Sequence, residues 1–293
     1  MTSTTSSPHI GRISSIGAFI HLFRLSVGIL AAGAGCATIY ALNAATLLHQ
    51  YLLTAIILVC MTSAACAIND YCDLNKDRIN HPNRPLPSGH LSLEQAWWAA
   101  VVLFGCALIA AIPLGILPSI LVAASTVLLW NYSYLLTYSG ILGNVIVAAI
   151  VASLIVLGSL VAGRPLAMLY PIWFLFCYAL AKEIIWDVHD ANGDRAGGVV
   201  TIANRWGERV AFFIAWGLLG ILMGSIPVAL HLLSMAHPLW FAAFAAIALL
   251  ILGTALAHYQ QQQSAIAYQR LTFWERISTV FGVLALLASA PPL

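Results

Sequence analysis

Seven of the ten acidic residues of this chain fall in two short windows: Asp70, Asp73 and Asp77 in one, Glu183, Asp187, Asp190 and Asp194 in the other. Set one above the other, Asp70-Tyr71-Cys72-Asp73-Leu74-Asn75-Lys76-Asp77-Arg78 and Asp187-Val188-His189-Asp190-Ala191-Asn192-Gly193-Asp194-Arg195 share the pattern D-x2-D-x3-D-R at a constant offset, an internal repeat of a site. Steps of three and four residues put the three carboxylates on one side, provided the helix continues through them. Like charges so arranged repel and call for divalent cations. Oxygen donors without ligand-spaced His or Cys favour Mg²⁺, which takes a few carboxylates and shares its other positions with phosphate oxygens. The chemistry expected of the pair is therefore the grip of an Mg-bridged diphosphate.

Further candidates surround these windows. Asn80-His81-Pro82-Asn83-Arg84-Pro85-Leu86-Pro87-Ser88-Gly89 carries three prolines and a glycine and is expected to be stiff, bent and non-helical. Arg84 within it offers a forked donor to a phosphate, as do Arg78 and Arg195; pairing with a neighbouring Asp is the alternative for each. Lys76 lies inside the first window and is a further candidate substrate contact. His189, between two acids, is placed to orient an acceptor or take a proton from it. Tyr132 and Tyr134 in the polar stretch Asn131-Tyr132-Ser133-Tyr134 are candidate aromatic faces for a carbocation, Tyr132 as a catalytic group and Tyr134 as a substrate contact. Asn144 is a candidate contact or an interhelical hydrogen-bonding group.

The elements that position these residues follow from composition. Only 8% of the 293 residues are charged, 61% are hydrophobic, and the mean hydropathy is +0.93. A soluble domain carries about 25% charged residues, so this chain must meet lipid. A cytosolic enzyme, a disordered chain and a nucleic-acid binder are excluded, the last also by a net charge of only +2 with no basic stripe. The six cysteines stand singly in apolar surroundings and read as reduced packing residues.

Apolar stretches of about 18–25 residues, the length that spans a bilayer core, place nine helices near 14–42, 51–68, 93–112, 117–136, 141–162, 167–188, 208–232, 238–258 and 272–290. Continuous rather than alternating apolar runs exclude a β-barrel. Ser92 with Gln95 forms a capping-box pattern before the third helix. Residues 1–13 read as a polar tail without a signal peptide, and 14–293 as a single transmembrane domain. With a cytoplasmic amino terminus, nine cations fall on the cytoplasmic side and only Arg164 opposite, leaving Arg24 and Lys182 inside predicted helices. Each acidic window then begins at the cytoplasmic end of its helix, so the two can face each other. Small residues such as Ala31-Ala32-Gly33-Ala34-Gly35 suggest close helix packing beside a groove open to lipid.

Asn69-Asp70-x2-Asp73-x3-Asp77 with the Arg84-Pro85-Leu86-Pro87-Ser88-Gly89 loop resembles the first signature of the UbiA-type membrane prenyltransferases. Asp187-x2-Asp190-x2-Gly193-Asp194-Arg195-x2-Gly198-x2-Thr201 is similar to the second signature in the homogentisate, chlorophyll and digeranylgeranylglyceryl-phosphate branches of that family. The resemblance implies a nine-helix, all-α integral membrane bundle with a cytoplasm-facing polar mouth. It also implies that Asn69, Asp70 and Asp73, completed by Asp77, and Asp187, Asp190 and Asp194 hold two Mg²⁺ ions around an allylic isoprenoid diphosphate. The Lys that family members often carry after a Tyr at the end of the fourth helix is replaced by Thr137, with Lys182 or Arg24 as possible substitutes.

The expected activity is transfer of an isoprenoid chain to a small lipophilic acceptor, most readily an aromatic ring. The alternatives are a terpene cyclase acting on the donor alone, an ether-forming transferase to a glyceryl phosphate alcohol and, outside enzymes, a cation transporter. The transporter reading is disfavoured because the acids lie at helix ends rather than at the midplane.

Overall fold

Where lipid replaces water, backbone polar groups must be satisfied within the chain, and helices do this locally. The computed structural model describes residues 15–292, with the backbone alone for residues 132–138. Every regular element among them is helical: α1 (Ser15–Phe23), α2 (Leu25–Leu42), α3 (Leu48–Cys72), α4 (Leu74–Asn80), α5 (Leu93–Ala111) with a 3₁₀ turn after it (Ile112–Leu114), α6 (Ile116–Tyr138), α7 (Gly140–Val161), α8 (Leu169–Ala196), α9 (Ile202–Trp206), α10 (Glu208–Leu232), α11 (Pro238–Gln262) and α12 (Ala265–Ala288). Among the described residues eight helices are long and apolar enough to cross a membrane. The part of α6 described with side chains, Ile116–Asn131, is apolar as well. The Ser92–Gln95 capping box forms as expected, with Gln95 N donating to Ser92 Oγ at 3.1 Å and Ser92 N donating to Gln95 Oε1 at 2.8 Å.

Three boundaries differ from expectation. The first apolar run is not one helix but two, broken at Arg24, whose backbone is left-handed with φ 46° and ψ 47°. No Gly or Pro marks that break; the Arg24 side chain is drawn to a buried carboxylate, described below. The first acidic window bends at Asp73, which ends α3 and precedes α4. The second acidic window does not bend, because α8 continues to Ala196, well beyond the apolar run.

Two hydrophobic cores organise the bundle, one on α1–α3, α5 and the facing sides of α6 and α7, the other on α8, α10, α11 and α12. Lipid tails are as apolar as leucine, so close approach and buried polar bonds hold such helices together. At Gly158 a Cβ would lie 2.9 Å from the Gly35 carbonyl oxygen and 2.7 Å from the Thr38 Cβ, so α2 and α7 meet backbone to backbone. Tyr178 Oη donates to Ser278 Oγ at 2.9 Å, and Ser278 Oγ donates to the Ala248 carbonyl at 2.7 Å, tying α8, α12 and α11 together. Such bonds contribute about 0.6–2 kcal/mol each in a membrane.

Candidate functional site

The end of α3 with α4 forms one acidic arm and the last turns of α8 the other; α4 packs directly on α8. Asn80, the last residue of α4, joins them. Its Nδ2 donates to the Asp190 carbonyl at 2.9 Å and its Oδ1 accepts from Gly193 N at 3.0 Å. A Cβ at Gly193 would collide with the Asn80 amide, which is why the second window needs glycine there. Lys76 Nζ lies 2.7 Å from Asp73 Oδ1 and 3.9 Å from Asp194 Oδ1, a second bridge between the arms. His81 Nε2 lies 2.9 Å from Asp190 Oδ1, but off-axis, so neither atom has a hydrogen bond. The repeated windows therefore face each other at one end of the bundle.

Arginines sit on Asp70 and Asp77. Asp70 is buried and receives Arg24 Nη2 at 2.8 Å and Arg84 Nη1 at 3.4 Å. Arg84 Nη1 also lies 2.7 Å from both oxygens of Asp77. Arg84 is thus held between Asp70 and Asp77, at the mouth of the site. Burial pushes the Asp73 and Asp77 carboxyls above the usual carboxylate range, and Lys76 and Arg84 respectively oppose that shift. Asn144 Nδ2 donates to Asp187 Oδ2 at 2.7 Å, which brings α7 into the site. His189 stacks on Tyr268 of α12, ring centres 3.5 Å apart and planes 6° from parallel.

Other expected residues stand elsewhere. Lys182 is not among the aspartates: its Nζ pairs with Glu275 of α12 at 3.3 Å. Arg195 is exposed and has no acidic partner within 4 Å among the described residues. Tyr132, Tyr134 and Thr137 lie outside the residues whose side chains are described. Asn80, His81 and Tyr268 belong to the site yet were not singled out by their types or spacing. The adjacency of Asn80 to a helix-stopping loop was the only signal available.

Beneath the arms lies a cavity of about 340 Å³ lined largely by apolar side chains of α2, α3, α6, α7, α8 and α12. Cys66, one helical turn before Asp70, and Trp186, next to Asp187, stand at its upper end, while Tyr170 and Ser289 lie towards the other. A polar mouth over an apolar chamber suits an amphiphile with a charged head and a hydrocarbon tail.

Residues 20–277 match the UbiA prenyltransferase family. The chain belongs to that family. Among UbiA-family relatives, digeranylgeranylglyceryl phosphate synthases from Sulfolobus acidocaldarius, Methanothermobacter thermautotrophicus and Methanopyrus kandleri are 35%, 30% and 31% identical to it, over 61%, 74% and 76% of this chain. The matched stretches span 65%, 76% and 81% of those relatives, so the chain spans slightly less than two thirds of the first. The solved structure of a digeranylgeranylglyceryl phosphate synthase superposes with a TM-score of 0.67 at 22% identity, covering 96% of this chain and all of that one. A UbiA homologue from Aeropyrum pernix gives 0.72 at 16% identity, over 89% of this chain and 98% of its own. One from Archaeoglobus fulgidus, bound to GPP and Mg²⁺, gives 0.69 at 14%, over 92% and 99%. At these identities the superpositions establish the shared fold: an all-α, multi-pass UbiA bundle.

Proposed function

We propose that this chain is an Mg²⁺-dependent intramembrane transferase that moves an isoprenoid chain from its allylic diphosphate onto the hydroxyl of a glyceryl phosphate lipid, forming an ether. The observation that carries the donor half is the convergence of two aspartate arms over an apolar chamber. The acceptor half draws on the relatives named as digeranylgeranylglyceryl phosphate synthases, whose product holds two isoprenoid chains on one glyceryl phosphate. An aromatic acceptor, the first expectation from sequence, has no corresponding support among these relatives. The single domain of residues 14–293 has its mouth on the cytoplasmic face, the side where most cations outside the long helices fall, with Arg164 opposite.

The donor set suits magnesium. Carboxylate oxygens of Asp70, Asp73, Asp77, Asp187, Asp190 and Asp194 are joined by the Asn69 Oδ1 atom, which is buried without a hydrogen-bond partner and so is free to bind an ion. These residues would hold the metal, and Mg²⁺ bound there would act as a Lewis acid on the departing diphosphate. Arg24, Lys76 and Arg84 supply positive charge within reach of the same head group, and turn from carboxylate to phosphate oxygens when the head group enters. Asn144 orients Asp187. The apolar walls exclude water from the allylic centre as the C–O bond breaks. The acceptor oxygen then forms the new C–O bond and its proton leaves to a basic oxygen of the mouth.

The test is turnover in proteoliposomes with an isoprenyl diphosphate and Mg²⁺, offered an alkylglyceryl phosphate, a hydroxybenzoate or no acceptor, with products weighed by mass spectrometry. Ether formed only with the alkylglyceryl phosphate is expected. A prenylated ring, or a hydrocarbon from the donor alone, overturns the acceptor assignment. Asp187→Ala should abolish diphosphate release while the protein remains inserted; undiminished release removes the proposed site.

A further inference from the structure

Among the described residues, three charged side chains line the chamber: Lys182, Glu275 and Arg276. They stand together where α8 faces α12, on the wall shared with Trp186 just below the aspartates. Charged groups inside membrane spans are retained where they face a cavity and have a partner or a task. Lys182 has partners: Glu275 Oε1 at 3.3 Å and the Trp186 ring, 4.5 Å from its Nζ. Arg276 is exposed, and among the described residues no carboxylate lies within 4 Å of it. The aspartate arms are already served by Arg24, Lys76 and Arg84. Of the three, Arg276 alone has no carboxylate partner among the described residues, and the donor site does not use its planar fork, which is matched to phosphate oxygens.

We infer that Arg276, with Lys182 beside it, receives the phosphate monoester of the lipid acceptor, whose hydrocarbon chain lies along the apolar wall below. In a glyceryl phosphate the nucleophilic hydroxyl is only a few bonds from the phosphorus. Anchoring the phosphate at Arg276 holds that hydroxyl in the upper chamber, beneath the arms that hold the diphosphate. The donor and the acceptor thus bind through separate sets of cations, so neither head group competes for the other's seat. This inference rests on the glyceryl phosphate reading above.

The experiment compares an alkylglyceryl phosphate with the same alkylglycerol lacking phosphate, as acceptors for the wild type, Arg276→Gln and Arg276→Lys. The wild type should prefer the phosphorylated acceptor by about tenfold or more in kcat/KM, and Arg276→Gln should lose most of that preference through the acceptor KM, about 1.4 kcal/mol for each tenfold. Arg276→Lys should retain part of it, and the donor KM should move little. Arg276 is exposed, so these variants are expected to fold; Lys182→Arg, which keeps the Glu275 partner, provides a second reading of the same preference. If Arg276→Gln keeps the wild-type preference, Arg276 only anchors to bilayer headgroups and the inference is overturned while the acceptor class stands. If the wild type uses neither acceptor, the acceptor class itself fails and this site falls with it.

Discussion

Asn80 closes two hydrogen bonds onto the backbone of α8, at the Asp190 carbonyl and the Gly193 amide, from 113 residues away in the case of Gly193. Among the described residues no other side chain fastens the arms by directed bonds on both its donor and its acceptor. Asn80→Ala removes both bonds and leaves a helix amide and carbonyl less well satisfied, a loss of about 1–3 kcal/mol. Gly193→Ala drives a methyl into the same space from the other side. Both variants should melt earlier in detergent and lose Mg-dependent turnover by more than their stability loss explains, because the carboxylate spacing changes. Unchanged melting and turnover in Asn80→Ala would mean that the arms are held by something else.

Arg24 holds a left-handed backbone with a full side chain, a conformation that costs a non-glycine residue about 1–2 kcal/mol. Its guanidinium recovers this at Asp70, which is buried and, among the described residues, otherwise served by Arg84 at 3.4 Å. Arg24→Gly relieves the backbone but strips the carboxylate; Arg24→Ala strips the carboxylate and keeps the strain. Without Mg²⁺ both should be less stable than the wild type, with the alanine variant about 1 kcal/mol below the glycine one. Chemical unfolding of the two side by side checks the order, and equal stabilities would remove the strain argument.

The reach of the sequence follows from what kind of signal each feature leaves. The acidic arms were legible because their spacing repeats, and α8 runs as one helix through Asp187, Asp190 and Asp194 as that spacing requires. The first arm obeys the same spacing yet bends at Asp73, since the chain must turn there towards the proline loop. The break at Arg24 was invisible: the apolar run passes through it without Gly or Pro, and only the distant Asp70 explains it. Lys182 stood out as an intramembrane cation, but its partner, Glu275, lies 93 residues on in a different helix, a pairing that no local pattern encodes. Asn80 and His81 looked like ordinary loop polars until α4 was docked on α8.

Magnesium and pH should act on the same groups. Burial raises the Asp73 and Asp77 carboxyls, so the metal-free fold holds their protons more tightly than the unfolded chain does. Its stability therefore falls as pH rises from the ordinary carboxylate value, about 3.9, through the raised values, and levels off above them. Magnesium binds the deprotonated form. The upward shift of the melting temperature on adding Mg²⁺ should thus be small at acid pH, grow across that window and then plateau. Asp73→Asn and Asp77→Asn should flatten the dependence. A magnesium shift that is constant or that shrinks with rising pH would contradict the assignment.

The Lys182–Glu275 pair offers a separate stability test. The two side chains are 15% and 12% exposed and sit within the bundle, where an unpaired charge is expensive. Lys182→Met leaves Glu275 without its cation, and Glu275→Gln leaves Lys182 without its anion; each should destabilise by about 3–5 kcal/mol, somewhat less if the chamber admits water. Replacing both with apolar residues, Lys182→Met with Glu275→Leu, removes the two desolvation costs together and should restore most of the loss, since the α8–α12 contact keeps the Tyr178–Ser278 bond. Unfolding of the two single variants and the double variant in one detergent gives the coupling energy directly. Additive losses would show that the pair does not couple, and that Lys182 and Glu275 keep their charges for reasons unrelated to each other.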